Sequence, residues 1–469
     1  MDINHIRLHQ RRSFLGNTCR GVGAAALGSL FAPTTKADPV RGVIEKPHVP
    51  PKAKRVIFIV LAGGASHLEL WDNKPELKKR HDQLMPESIT KGQPIAQLQG
   101  AQLKCFGPQW GFKKHGKAGI EMNELFTYLP DVADELCVVR SLHTEAINHD
   151  PAHTFMNTGS SVSGRPSMGS WLTYGLGSEA EDLPGFVVLT SSRGGQMQPI
   201  AARQWAAGFL PGKFQGIHLR GQGDPVLYLT NPPGVAAGQQ KDVIDAVAKL
   251  NQMQNASVDD PEIATRIAQY EMAFKMQTSV PALMDMKGEP AKIMESYGTK
   301  GADGSFAANC LLARRLAQKG VRFIQLYNRD WDHHGGVKDG IKQKITEIDQ
   351  PLAALVKDLK RLGMLDETLI VLTGEFGRTP MSQGSNGRDH HMKGFSVVLA
   401  GGGIKPGTTY GATDDFGYNA AENIFPVHDL HATMLHLLGI DHERLTFKFQ
   451  GRDYRLTDVH GKVVKEILA

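Results

Sequence analysis

Cysteine is scarce in this chain, with four residues among 469. Cys19 lies in an N-terminal stretch that reads as a removable signal, which leaves Cys105, Cys137 and Cys310 without C-x-x-C spacing. An odd number so spaced argues against a disulfide scaffold or a structural zinc cage and leaves buried thiols as the expectation, with room for one disulfide. No apolar run downstream approaches the ~20 residues of a membrane span, so no integral span is expected. An excess of one charge is missing as well. Lys and Arg number 53 against 48 Asp and Glu, and Arg7, Arg11, Arg12, Arg20 and Lys36 against Asp2 make up most of that difference. The remainder is near balance and gives no electrostatic argument for a nucleic acid or an anionic membrane as partner. Internal repeats are absent, and the one low-complexity tract is Gly401 to Gly403.

What is present begins with paired Arg11 and Arg12, then Phe14 and Leu15, an Ala/Gly-rich stretch and small residues around Ala37. These fit a twin-arginine export signal over residues 1–37, cleaved after Ala37, and so a soluble protein exported to the periplasm or beyond by the twin-arginine machinery. Residues 38–54 are rich in Pro and Lys without periodicity and read as a linker. Short apolar strands follow at RVIFIVLA, CVVRS, FVVLTS, VRFIQLY, TLIVLTG and FSVVLAGG, with helical stretches at MNELFTYLPDVADEL, AANCLLARRLAQKG and IKQKITEIDQPLAALVKDLKRLG. Fully apolar strands alternating with amphipathic helices predict an α/β fold over residues 55–469, a mostly parallel central sheet covered on both faces. Residues 192–300 hold polar loops and charged helices with no strong strand, and read as a large insertion or cap.

Acids and histidines cluster at the predicted strand exits. NHDPAH supplies His149, Asp150 and His153; RDWDHHGG supplies Asp330, Asp332, His333 and His334; GRDHH supplies Asp389, His390 and His391. Neutral imidazole with carboxylate is the donor set of zinc, manganese or iron, and D-x-H spacing lets a loop wrap one ion. A fourth group, His428, Asp429, His431 and His436, lies among Leu430, Met434, Leu437 and Leu438 at helical spacing. It reads as a core helix started by Asp429, with its histidines on the polar side.

In order along the chain, VIFIVLAGG, HDPAHTFMNTG, DWDHHGG, TLIVLTGEFG, RDHH and DLHATMLHLLGI resemble the motifs of the alkaline phosphatase and sulfatase superfamily. More closely, GEFGRTP, the GRDH before FSVVLAGGGIKPGTTYGATD, and the tail FQGRDYRLTDVHG resemble a bacterial family within it, exported by the twin-arginine route and defined as a domain of unknown function. The resemblance implies an alkaline phosphatase-like fold and a metal site. Asp330 or Asp332, His334, and His390 or His391 match the superfamily's Asp, His and final His.

The departures bear on chemistry. Gly63 and Gly64 stand where sulfatases keep two acids, with Ser66, His67, Glu69 and Asp72 as the nearest substitutes; His149 stands at the nucleophile position and His153 at that of the Arg; Glu375 and Phe376 replace an Asp-His pair. One divalent ion is therefore expected (zinc, manganese or calcium) in a hydrolase of phosphate or sulfate esters. His149 would attack or carry a proton, Glu375 would serve as ligand or base, and Arg378 or Arg388 would neutralise an anionic small molecule or glycan. Ser66, His67 and His153 are the further candidates to touch it. The alternatives are an anion- or glycan-binding module on the same fold, or an envelope protein that uses the insertion as its contact surface.

Overall fold

The computed structural model describes residues 40–469 apart from 94, 193, 194, 223, 224, 226–271, 273–275, 277 and 278. The export signal and most of the expected insertion therefore lie outside the described residues. In chain order the elements that build the site are β1 (Arg55–Leu61), β2 (Leu136–His143), α1 (His149–Thr158), α2 (Met168–Leu176), β3 (Phe186–Thr190) and β4 (Ile217–Arg220). Then come α3 (Phe306–Gln318), β5 (Phe323–Asn328), α4 (Val337–Arg361), β6 (Thr368–Thr373), β7 (Gly377–Gln383), β8 (Gly387–His391), β9 (Phe395–Ala400), β10 (Thr408–Tyr410) and α5 (Val427–Leu437).

The main sheet runs in the order β10-β2-β9-β6-β1-β5-β3-β4. Its pairings are parallel except those of β9, which runs antiparallel to both β6 and β2. The central trio is in register, with Leu61 of β1 opposite Asn328 and Val60 opposite Thr373. Each of these strands is apolar on both sides because both faces are covered. Along β1, Ile57, Ile59 and Leu61 enter one core with α3 and α4, while Val56, Phe58 and Val60 enter a second core with α1, α2 and α5. The mostly parallel α/β class is thus the observed one.

Some local expectations change. The stretch MNELFTYLPDVADEL is not one α-helix: a strand at Ile120–Asn123 precedes a 3-10 helix at Leu129–Glu135. Its Pro130 suits a first turn but not a helix interior. Within the expected insertion, β4 pairs in parallel with β3 and extends the sheet. Residues 40–54 do not hang free as a linker. Val43 and Ile44 donate N–H to the carbonyls of Tyr174 and Gly175 (2.9 Å each), and Lys52 and Ala53 donate to Leu437 O at 2.7 and 2.9 Å. The strap thereby satisfies carbonyls at the ends of α2 and α5, groups that a helix cannot satisfy itself. Cys105, Cys137 and Cys310 are buried free thiols. Among the described residues no helix is long and apolar enough to cross a membrane.

Candidate metal centre

The carboxyl ends of β6, β1 and β5 lie side by side, the position where open α/β sheets bind ligands. From β1 the chain turns through Gly63 and Gly64, at φ 116° and 66°. From β5 it leads to Asp330 and Asp332, and from β6 to Glu375 and Phe376. Helix α1 brings His149 and His153, four residues apart and so on one helical face. Pro151 stands within the first turn, where its missing N–H costs nothing. The hairpin of β7 and β8 adds Arg378 opposite His390.

These elements bring His149, Asp332, His334 and His390 together, with one donor atom of each within 4.8 Å of the others. Nε2 of His334 stands 2.9 Å from Oδ1 of Asp332 and 3.0 Å from Nε2 of His390, which is itself 3.4 Å from the same oxygen. The outer nitrogens are already engaged. His390 Nδ1 meets the Ile147 carbonyl at 3.0 Å, and His334 Nδ1 meets the amide oxygen of Gln383. A carbonyl accepts only, so each Nδ1 must carry the proton, and both Nε2 atoms are left to face one another and a carboxylate. His149 repeats the pattern. Its Nδ1 lies 2.6 Å from Glu375 Oε1, and its buried Nε2 faces Asp332 Oδ2 at 3.2 Å. A ring whose outer N–H is held by a carboxylate or carbonyl is the orientation of metal-ligating histidine.

Below this lies a second group of His149, His153 and Glu375. Glu375, fully buried, also accepts the Gly63 N–H (3.0 and 3.3 Å), and His153 Nε2 stands 3.4 Å from it. Burial would raise the Glu375 carboxyl; His153 and His149 outweigh it and bring it down to about 2. Burial in turn pushes His153 below its ordinary value, so at neutral pH the hydrogen bond and charge of His149 are what remain. For His149 burial also opposes charge, but its bonds to Asp332 and Glu375 raise it to about 9. His334 is raised chiefly by Asp332, and His390 is lowered by burial. Phe376 packs its ring 4.9 Å from that of His149 and 4.7 Å from that of His390.

Other residues singled out in the sequence are not brought to this point. Asp330, at φ 70°, accepts the backbone N–H of Gly195 and Gln196 at 2.8 and 2.7 Å. A register shift between Arg388 and His390 breaks the two-residue alternation of β8, as bulges do. His390 therefore turns to Asp332 while His391 meets the Tyr418 carbonyl. Arg388 is fully buried and bound to Glu69 (2.7 and 3.0 Å) and to the carbonyls of Thr379 and Gly107. Arg378 spends its donors on Asp332 and on the carbonyls of Gly63, Gly64 and Arg388. Neither guanidinium is free to neutralise a bound anion, contrary to the expectation from sequence. His67 is buried against the Gly417 carbonyl at 3.0 Å, and Ser66 is buried beside it. His428 and His431 are buried rather than on the polar side of α5, each held by a carbonyl at the C-terminal end of α1. Gln383 was missed because it lies in GRTPMSQ, whose Pro and polar residues hide a strand.

The chain is thus an α/β protein with a histidine–carboxylate centre at the carboxyl edge of its sheet. It belongs to the family described as "Protein of unknown function (DUF1501)", whose model matches residues 53–468. No curated protein matches it. Among solved structures it is similar to the PsFucS1 sulfatase from Pseudoalteromonas sp. at 12% identity and TM-score 0.34, covering 83% of this chain and 68% of that one. It is similar also to the phosphonate monoester hydrolase SpPMH from Silicibacter pomeroyi (12%, 0.32, 82% and 73%). A third is the C-terminal periplasmic domain of EcEptC from Escherichia coli in complex with Zn (8%, 0.35, 85% and 86%). Likenesses at these scores carry no weight on the chemistry, which rests on the residues above.

Proposed function

We propose that the chain is an exported hydrolase of phosphate or sulfate esters working with one divalent ion held by Asp332, His334 and His390. The observation that carries this reading is the pair of Nε2 atoms 3.0 Å apart, each ring fixed from behind, converging on one carboxylate oxygen. Two lone pairs so placed repel unless a proton or a cation stands between them. Two imidazoles with one carboxylate favour zinc over manganese or calcium. When bound, the ion would polarise an ester oxygen. His149 lies on the other oxygen of Asp332 and is held by Glu375, so it can carry a proton at Nε2 to the departing oxygen. Phe376 packs against both the His149 and His390 rings and gives that side of the centre an apolar wall. Glu375 acts through His149 rather than on substrate, since it is fully buried.

The paired arginines support the twin-arginine route and a signal over residues 1–37. Metal analysis of the exported protein tests the centre, followed by assay against aryl phosphates, phosphodiesters and aryl sulfates with zinc, manganese or calcium. About one ion per chain and turnover of at least one ester class is the expected result. A folded protein holding well under one ion would sink the assignment.

One observation favours a second reading, a non-catalytic module for an anion or glycan. Gln97, Gln196 and Gln383 lie around the partly exposed His334 and Asp332. Amides suit sugar hydroxyls. Binding of a sulfated oligosaccharide by the metal-loaded protein, without turnover, would decide for it.

A further inference from the structure

Arg378 stands out among the buried charges because of what surrounds it. It is 1% exposed, and its guanidinium is met by four oxygens. Nε donates to Gly64 O at 2.8 Å, Nη1 to Arg388 O at 3.1 Å, and Nη2 to both Gly63 O and Asp332 Oδ1. Both glycines adopt positive φ, which a side chain rarely takes, and this turn presents their two carbonyls to the same cation. A side chain would not fit either: a Cβ on Gly63 would stand 2.6 Å from Asp332 N, and one on Gly64 2.4 Å from Phe376 Cε2. Three carbonyls and a carboxylate form a hard-oxygen cradle, the donor type of calcium or manganese rather than of the histidine site beside it.

We propose that Arg378 is a positioning residue, a built-in cation that fills this oxygen cradle and so holds the centre to a single metal ion. The proposal rests on the metal reading above. A guanidinium keeps its charge at every physiological pH and matches several acceptors in one plane. It therefore satisfies the Gly63, Gly64 and Arg388 carbonyls permanently and claims part of Asp332 Oδ1, the oxygen that also faces His334 and His390. Its fixed positive charge disfavours a second cation within a few ångströms. Without it, buried carbonyls would be left unsatisfied, and water with a hard cation could take its place.

The test compares full-length mature wild type with Arg378→Ala and Arg378→Lys, counting bound zinc and calcium by elemental analysis and calorimetry. Visible absorption of the cobalt-substituted protein follows the histidine site separately. The expected result is one ion in wild type and in Arg378→Lys, but two in Arg378→Ala, the second preferring calcium or manganese. Guanidinium at millimolar, non-denaturing concentration should displace that second ion and leave the cobalt band intact, an effect that loss of packing alone would not produce. One ion in all three folded proteins overturns the proposal, as does a second ion in wild type. If wild type binds none and Arg378→Ala binds one calcium, the cradle stands and the histidine-centre reading falls. No ion in any of them removes both. If Arg378→Ala folds only when guanidinium or calcium is added, the cradle is supported; failure to fold with either counts against it.

Discussion

Helix α1 meets histidine at both ends, and the two ends treat the same side chain differently. At its N-terminus His149 and His390, together with His334, turn their Nε2 atoms toward Asp332 while their Nδ1 atoms are held from behind. At its C-terminus His428 and His431 use Nε2 on the carbonyls of Gly159 (2.9 Å) and Met156 (2.8 Å). Met156 lies in the last turn of α1 and Gly159 caps it, where helix acceptors need an outside donor. Imidazole is thus spent on the backbone at one end and kept available at the other. Burial does not separate the two cases, since His390 and His431 are both buried. What separates them is whether the inward nitrogen meets a backbone carbonyl of its own or converges with others on one carboxylate.

The largest expected break is at the N-terminal end. Asp332→Asn removes the charge shared by Arg378 and the histidines. Ion affinity should fall about 100-fold or more, as for loss of a ligand rather than of its outer partner. The metal-free protein should also lose about 3–5 kcal/mol, because Arg378 stays buried without its counter-charge. Calorimetric titration and urea unfolding read the two effects. Retained affinity would show that the carboxylate is no ligand.

Glu375→Gln should act more gently, because an amide oxygen can still accept from His149 Nδ1. About one ion should remain, turnover should fall about 10–100-fold, and the upper limb of the pH–rate profile should move to lower pH. The sign follows from the bonds and charges of Asp332 and Glu375, which raise His149 to about 9 against its burial. Without Glu375 the imidazolium loses part of that support. An unchanged profile would remove His149 as the proton carrier. His431→Leu, at the other end, should leave ion stoichiometry and turnover untouched and cost about 1–2 kcal/mol at pH 7 for the lost buried hydrogen bond.

The sheet was legible from the sequence because doubly covered parallel strands are continuously apolar, and β1, β5 and β6 each read that way. The hairpin of β7 and β8 was not, since GRTPMSQ and GRDHH are polar, and the burial of their arginines depends on Glu69 and Asp332 arriving from elsewhere. Helix α1 was not among the expected helices; HDPAH carries a proline, which the first turn of a helix tolerates. Local spacing could name the pools of candidates but not choose within them. Choosing Asp332 over Asp330, and His390 over His391, depends on a positive-φ residue and a register shift, neither of which has a sequence signature here. The cradle around Arg378 was illegible for a further reason: three of its four oxygens are backbone carbonyls, which carry no residue identity.

The finest test of the contrast between the two ends of α1 is its response to acid. Burial drives His431 from its ordinary 6.5 down to about 3, the field of His428 adds to this, and its bond to Met156 O opposes it. The folded protein therefore keeps the ring neutral where the unfolded chain takes up a proton. For a group lowered on folding, the contribution to stability is intact above about pH 6.5 and is lost as the pH falls toward 3, at about 1.4 kcal/mol per pH unit. His431→Leu has no proton to refuse. Measured by urea unfolding of metal-free protein at pH 7, 6 and 5, wild type should begin about 1–2 kcal/mol the more stable. By pH 5 it should have surrendered about 2 kcal/mol of that difference, so that the two curves meet or cross. Taking the difference between variants cancels the histidines at the other end, which both proteins share. Parallel curves would mean that His431 takes up its proton in the folded state as readily as in the unfolded one, and would undo the distinction between an imidazole spent on the backbone and one held ready for an ion.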